Sequence, residues 1–232
     1  MPQYLADING DKFTLSQDET RHIKVARLRA GDEIKIFDGR GRKFLAALGD
    51  ISAKSAVGAL IKELPVPAPR RAVMLYFSAI SRPATEDLLD KCTQAGAFAF
   101  RPVVSARSDA DLLKKWDTKL ARWQSILLAA CKQCENPKIP QICAPLTFAE
   151  AIKTAAAAPA LICYEDEHKT NILDALAGCA AAEISIFTGP EGGYTPEEIK
   201  AAVAAGIKPV SLGRNILRAE TAAAAAVWAA MQ

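Results

Sequence analysis

Thr188-Gly189-Pro190-Glu191-Gly192-Gly193 and Leu212-Gly213-Arg214-Asn215-Ile216-Leu217-Arg218-Ala219-Glu220-Thr221 decide how this chain is read. Each stretch puts glycine directly after a short apolar, strand-like run and directly before a helix start. Open α/β sheets leave their ligand crevice at such strand-to-helix turns. Glu183-Ile184-Ser185-Ile186-Phe187-Thr188 reads as a buried strand, and Thr195-Pro196-Glu197-Glu198 supplies an N-cap threonine, a proline at the first helical position and a capping box. Taken alone, Gly-x-x-Gly-Gly is often only a tight turn. Two such turns, close in sequence, predict one shared pocket.

The second turn follows Pro209-Val210-Ser211-Leu212 and leads into an alanine-rich helix from Ala219 to Gln232. Arg218 and Glu220 stand at the mouth of that helix. The positive end of a helix dipole favours glutamate over arginine, so Arg218 is better explained by a ligand or substrate than by the helix.

With 232 residues, 50% of them hydrophobic and 24% charged, the chain has the make-up of an ordinary soluble protein of one large or two modest domains. Met1-Pro2-Gln3-Tyr4-Leu5-Ala6-Asp7 lacks the basic and apolar regions of a signal peptide, and no apolar run reaches the length of a membrane span. A cytoplasmic location and no membrane partner are therefore expected. Cys92, Cys131, Cys134, Cys143, Cys163 and Cys179 show no disulfide spacing. The one C-x-x-C, Cys131 to Cys134, falls in a helical pattern without a partner motif, so small buried hydrophobes rather than a metal site are expected.

Short strand-like runs at Lys12–Leu15, Glu33–Asp38, Lys43–Leu48 and Ser55–Ile61 are separated by the turns Ala30-Gly31-Asp32 and Asp38-Gly39-Arg40-Gly41, which predicts a small β-barrel. A proline-rich linker, Leu64 to Arg71, follows. From Val73 onward strands at about 73–79, 99–104, 160–165, 183–188 and 209–212 alternate with helices, including Glu86 to Ala95, Asp109 to Trp116 and Lys119 to Gln133. That alternation predicts a mostly parallel sheet covered on both faces. The boundaries are placed at 1–68 and 72–232.

The net charge of +3 lies wholly in residues 1–70, and residues 21–43 hold 8 basic residues against 3 acidic ones. In Arg21-His22-Ile23-Lys24-Val25-Ala26-Arg27-Leu28-Arg29 the apolar Ile23, Val25 and Leu28 are expected to anchor the stretch. Arg21, His22, Lys24, Arg27 and Arg29, joined by Arg40, Arg42 and Lys43 from the neighbouring hairpin, then face outward as a phosphate-backbone surface.

The two C-terminal turns, together with His22-x-x-Val25-x-Arg27-x-x-x-Gly31-Asp32, resemble the RsmE family of ribosomal small-subunit RNA uridine-N3 methyltransferases, within the SPOUT superfamily. The resemblance spans essentially the whole chain. It implies an α/β fold made of an N-terminal PUA-like RNA-binding β-barrel and a C-terminal SPOUT methyltransferase domain, the latter with a trefoil knot. S-adenosylmethionine as methyl donor, 16S ribosomal RNA or the assembled small subunit as substrate, and a homodimer are also implied. Gly189, Pro190, Glu191, Gly192, Gly193, Leu212, Gly213, Ile216 and Leu217 would hold the methyl donor, with Tyr164-Glu165 closing the adenine side. Departures from the family pattern occur at Asn215, at Ser81-Arg82-Pro83-Ala84, at Thr93-Gln94-Ala95-Gly96 and at Gln133-Cys134-Glu135-Asn136-Pro137.

For methylation at N3 of uracil, an imide proton must leave while charge spreads to O2 and O4. Arg218, always protonated, is the candidate to hydrogen-bond a uracil carbonyl; Glu220 is a candidate proton acceptor, with helix capping or water as alternatives. Two other readings remain: an RNA-binding assembly factor that has lost catalysis, and a SPOUT enzyme acting on transfer RNA.

Overall fold

The structure, a computed structural model, describes residues 3–108 and 116–232. Of the helix expected over Asp109 to Trp116, only Trp116 falls within the described residues. Contacts divide the chain into one unit of Met1–Ala68 with Leu128–Ile139 and another of Pro69–Leu127 with Pro140–Gln232.

In the first unit β1 (Gln3–Asn9), β2 (Lys12–Leu15), β3 (Glu33–Phe37), β4 (Lys43–Ile51) and β5 (Ala56–Leu64) close a barrel in the order β1-β2-β5-β4-β3. Neighbours are antiparallel except where β1 meets β3 in parallel to close it. Period-two alternation turns Phe44, Ala46 and Leu48 of β4 inward, where they meet Tyr4, Phe13, Leu15, Ile34 and Ile36. Gly58 makes this closure possible. A Cβ there would lie 2.1 Å from the Ala47 carbonyl oxygen and 2.6 Å from the Phe13 ring.

The barrel thus follows the expectation, with two additions. β1 was not anticipated, and the basic stretch proves to be the end of a helix, α1 (Gln17–Val25), capped by Ser16, whose Oγ accepts the Glu19 amide at 3.3 Å. On this helix Ile23 is fully buried and anchors as expected, and Leu28 beyond it is half-buried. Val25 is not an anchor: helical geometry turns it away from Ile23, and it is 78% exposed.

The second unit is built on a wholly parallel sheet of β6 (Ala72–Ser78), β7 (Ala99–Val104), β8 (Gln141–Ile142), β9 (Leu146–Thr147), β10 (Ala160–Cys163), β11 (Glu183–Thr188) and β12 (Lys208–Val210). The order is β12-β10-β11-β6-β7-β8, with β9 also pairing β7. Between the strands run α2 (Arg82–Gln94), α3 (Trp116–Cys134), α4 (Phe148–Ala155), α5 (Ile172–Ala177), α6 (Pro196–Ala204) and α7 (Ala219–Met231). α2 begins four residues earlier than expected because Pro83 occupies its first turn, where a missing N–H goes unneeded.

Both sheet faces are covered, as the near-continuous apolar strands require. Tyr76 and Phe187 stack with ring centroids 4.4 Å apart, in a core completed by Phe148, Ala151, Ile152 and Ala202 from α4 and α6. Alternate residues of β6 face the other way, where Phe77 meets Trp123 of α3 edge-on at 6.1 Å and α7 packs along β6 and β11.

Candidate active site

Sheet order assembles the site. β10 lies between β11 and β12 although it precedes both in sequence, so the carboxyl ends of three adjacent strands open on one crevice. A cavity of about 480 Å³ fills it, within the size range of cofactor sites. Its wall is Cys163, Tyr164, Glu165 and His168 after β10, Thr188 to Gly193 after β11, and Ser211 to Ala219 with Ala222 after β12. All nine residues assigned to cofactor binding from the sequence therefore meet on one cavity, as does Arg218.

The first turn is fixed at both ends. The Gly193 amide donates to the Pro190 carbonyl at 2.9 Å, and the Thr195 hydroxyl and Glu198 carboxylate complete the capping box of α6. Gly193 has φ +67°, and a Cβ on it would sit 2.0 Å from Glu165 Oε1. The carboxylate of β10's loop thus lies directly over this glycine's backbone, and only glycine accommodates both conditions. Behind the turn, Tyr194 is buried with its ring against Gly189, and burial drives its hydroxyl pKa strongly upward, so it remains a neutral phenol.

Two polar groups and one apolar side chain on the wall stand ready for a ligand. Thr188 Oγ1 is buried without a hydrogen-bond partner among the described residues. Arg218 is the N-cap of α7 yet makes no capping bond, and among the described residues it has no ion-pair partner. Ile216 is 89% exposed at the lip, an apolar side chain with nothing to cover. Burial pushes the Cys163 thiol up to about 12, so it contributes a neutral surface.

Glu220 does not line the cavity. It sits on the first turn of α7, where its charge acts on Lys91 of α2. Residues with no sequence signal brace the turn or line the wall instead. Arg107, in the loop after β7, donates from Nη1 to the Gly192 carbonyl at 2.7 Å, and the Ala106 amide donates to Glu198 at 2.8 Å. His168 and Cys163 reach the wall only because β10 is inserted between β11 and β12.

Of the basic residues expected to face outward from the barrel unit, all are exposed except Lys43, whose side chain is only 13% accessible, and their charges are unequally free. Arg21 lies 3.8 Å from Asp18, Lys24 donates to the Ser52 carbonyl at 2.7 Å, and His22 Nδ1 is 3.0 Å from Lys132 Nζ. Arg42 is held by a two-pronged pair with Glu63 at 2.8 and 2.9 Å and adds no free charge, while Lys43 shares the Glu135 carboxylate with Lys35, at 2.9 and 3.0 Å. Arg27, Arg29 and Arg40 have no carboxylate partner among the described residues. The segment 132–139 links the two groups, meeting α1 through Lys132 and the 39–41 turn through Pro137 and Ile139.

An RNA methyltransferase domain model matches residues 67–231 and an RNA methyltransferase PUA domain model matches residues 15–61. The ribosomal RNA small subunit methyltransferase E of Synechocystis is 36% identical over 222 residues, covering 90% of this chain and 69% of that protein. The chain belongs to the RsmE family. Its Mycobacterium bovis member is 29% identical, covering 91% of this chain and 83% of the relative. The RsmE crystal structure from Neisseria gonorrhoeae, described as bound to S-adenosyl methionine, superposes with a TM-score of 0.87 at 29% identity over 98% of this chain and 95% of that one. A probable rRNA-methyltransferase from Porphyromonas gingivalis gives 0.84 at 29% identity, covering 98% and 95%.

Proposed function

We propose that this RsmE family member transfers a methyl group from S-adenosylmethionine to N3 of a uridine in 16S ribosomal RNA. The convergence of both glycine turns on one cavity carries the reading, together with an unpartnered arginine on its wall. The residues present suit the methyl donor: a glycine whose Cβ would fill the cradle, a buried threonine hydroxyl in need of a partner, and a volume of cofactor size.

Gly189, Pro190, Glu191, Gly192, Gly193, Leu212, Gly213, Ile216 and Leu217 would hold the donor through backbone groups and apolar contact. When bound, S-adenosylmethionine supplies a methyl group made electrophilic by its sulfonium. Arg218 hydrogen-bonds a uracil carbonyl and stabilises the negative charge that appears as the N3 proton leaves. Its guanidinium cannot accept that proton. Because Glu220 is absent from the cavity wall, we assign it to the packing of α7 on α2, and the N3 proton passes to water. A new N3–CH3 bond replaces the S–CH3 bond, and the thioether leaves neutral.

Residues 1–68 serve in this proposal as the RNA-binding domain and 72–232 as the knotted catalytic domain of a cytoplasmic homodimer. On the barrel, Arg27, Arg29 and Arg40 take phosphates first, helped by Arg21, His22 and Lys24, while Arg42 must first leave Glu63. The target base has to be unstacked to enter, since N3 is hidden in paired RNA. Arg218→Ala tests the assignment: calorimetry is expected to find the methyl donor bound within about threefold of wild type, while transfer of tritiated methyl falls by roughly 100-fold or more. Unchanged turnover would remove Arg218 from the chemistry.

A further inference from the structure

We propose that Arg82 and Arg122, on the catalytic unit beside the 189–193 turn, form a phosphate-binding rim that grips the RNA strand next to the target base. The inference rests on the reading of this chain as an RNA methyltransferase and adds a second RNA contact, separate from the barrel.

The rim is tied to the cofactor turn. The Ser81 amide donates to Glu191 Oε1 at 3.2 Å, which fixes the first turn of α2 against the cavity wall. Arg82 opens that helix. One turn on, Glu86 accepts from Arg82 Nε at 3.1 Å and from Arg122 Nη2 at 2.7 Å. Arg107 also holds the turn, donating to the Gly192 carbonyl.

Two cationic side chains on one carboxylate leave a net positive charge, as they also do where Lys35 and Lys43 share Glu135, but those lysine side chains are only 28% and 13% exposed. Arg42 with Glu63 and Lys91 with Asp87 are one-to-one and neutral. Here a single carboxylate serves two guanidiniums, whose side chains are 78% and 58% exposed. Each arginine keeps most of its five donors free in a planar fork, already oriented by the shared carboxylate. That geometry matches a phosphate oxygen pair better than an isolated lysine would. An unstacked base at the cavity mouth forces its flanking phosphates past this edge, and backbone contacts of this kind fix register without reading sequence.

The full chain carrying both Arg82→Gln and Arg122→Gln tests the proposal, with filter binding and methyl transfer on small-subunit RNA at several salt concentrations. The KM for RNA is expected to rise about tenfold at ~0.1 M salt, and the slope of log affinity against log salt to fall by about 1.4, two single-strand phosphate contacts. The kcat and the calorimetric affinity for S-adenosylmethionine stay within about twofold, as they should when only uniform RNA binding is lost. Arg122→Lys keeps the charge without the fork and retains most of the slope, whereas Lys153→Gln, at an exposed position on α4, leaves it at the wild-type value. An unchanged slope in the double variant overturns the proposal. So does a loss of methyl-donor affinity, which would make the trio a brace for the turn. Should the wild-type chain transfer no methyl, the proposed function fails on that result, and the salt slope still decides the rim.

Discussion

Gly193→Ala and Gly192→Ala differ by one position, and only the first is expected to destabilise the chain. At Gly193 the backbone is left-handed with φ +67°, which costs about 1–2 kcal/mol for a residue with a Cβ. The new methyl would also lie 2.0 Å from Glu165 Oε1. That carboxylate ends a flexible, exposed side chain, so it swings aside and adds little to the stability loss. It then no longer covers the turn. A chain of this size loses roughly 2–4 °C of Tm per kcal/mol, giving a fall of about 2–8 °C for Gly193→Ala. Donor affinity is expected to fall about tenfold, equivalent to about 1.4 kcal/mol. At Gly192 φ is not positive, and a Cβ would meet only Arg107 side-chain carbons at 3.4 Å. Stability there should change by less than about 0.5 kcal/mol. Differential scanning fluorimetry and calorimetry with S-adenosylmethionine read both quantities. Equal Tm losses at the two positions, or none at Gly193, would refute the account of the turn.

Gly58→Ala addresses the barrel: its methyl would press on a backbone carbonyl at 2.1 Å and a buried phenyl ring at 2.6 Å, neither of which can swing away, so a loss of about 3 kcal/mol or more is expected in chemical denaturation. A fully stable variant would mean that β5 crosses β4 less tightly than described. Hydrogen bonds from Arg122 and Arg82 hold the Glu86 carboxyl down at about 2, so the pairing is intact above the ordinary carboxylate range and fades as pH falls from about 4.5 toward 2. Carboxyl-detected NMR should find this low midpoint in the wild type and a rise toward the ordinary value in Arg122→Ala; a midpoint near 4 in the wild type would break the two-to-one cluster.

The legible parts of the fold were those with a local signal. Period-two alternation marked β4, glycine turns marked the hairpins, and Thr195-Pro196-Glu197-Glu198 marked the start of α6 down to its capping residue. β1 escaped because Gln3, Asp7 and Asn9 dilute its apolar pattern, although Gln3 is itself buried, with Nε2 donating to the Cys131 carbonyl at 2.9 Å. α1 escaped because its only buried apolar residue is Ile23, beneath a run of charge. The candidate site divides in the same way. The glycine turns carry their signal in sequence, but the insertion of β10 between β11 and β12 is a property of sheet order, and Cys163 and His168 acquire their places only from it, while Arg107 reaches Gly192 from the loop after β7. Charge pairing is equally silent in sequence: nothing near Arg42 announces Glu63 twenty-one positions on, whereas Arg27 and Arg40 stay free.

Arg218 shows what the site gives up in stability. The N-cap of α7 would be best filled by serine, threonine, asparagine or aspartate, whose side chain accepts from the first turn. Arginine offers no acceptor, and it brings positive charge to the positive end of the helix dipole. Arg218→Ser should therefore stabilise the chain by about 1–2 kcal/mol, adding a cap of about 1 kcal/mol and relieving up to about 1 kcal/mol of dipole repulsion. In Tm that is a rise of roughly 2–8 °C. Methyl transfer should disappear in the same variant. A more stable, inactive protein is the signature of a residue kept for chemistry against the interest of its helix. A lower Tm in Arg218→Ser would show that the guanidinium already serves the fold, and the case for its catalytic role would then lose its structural half.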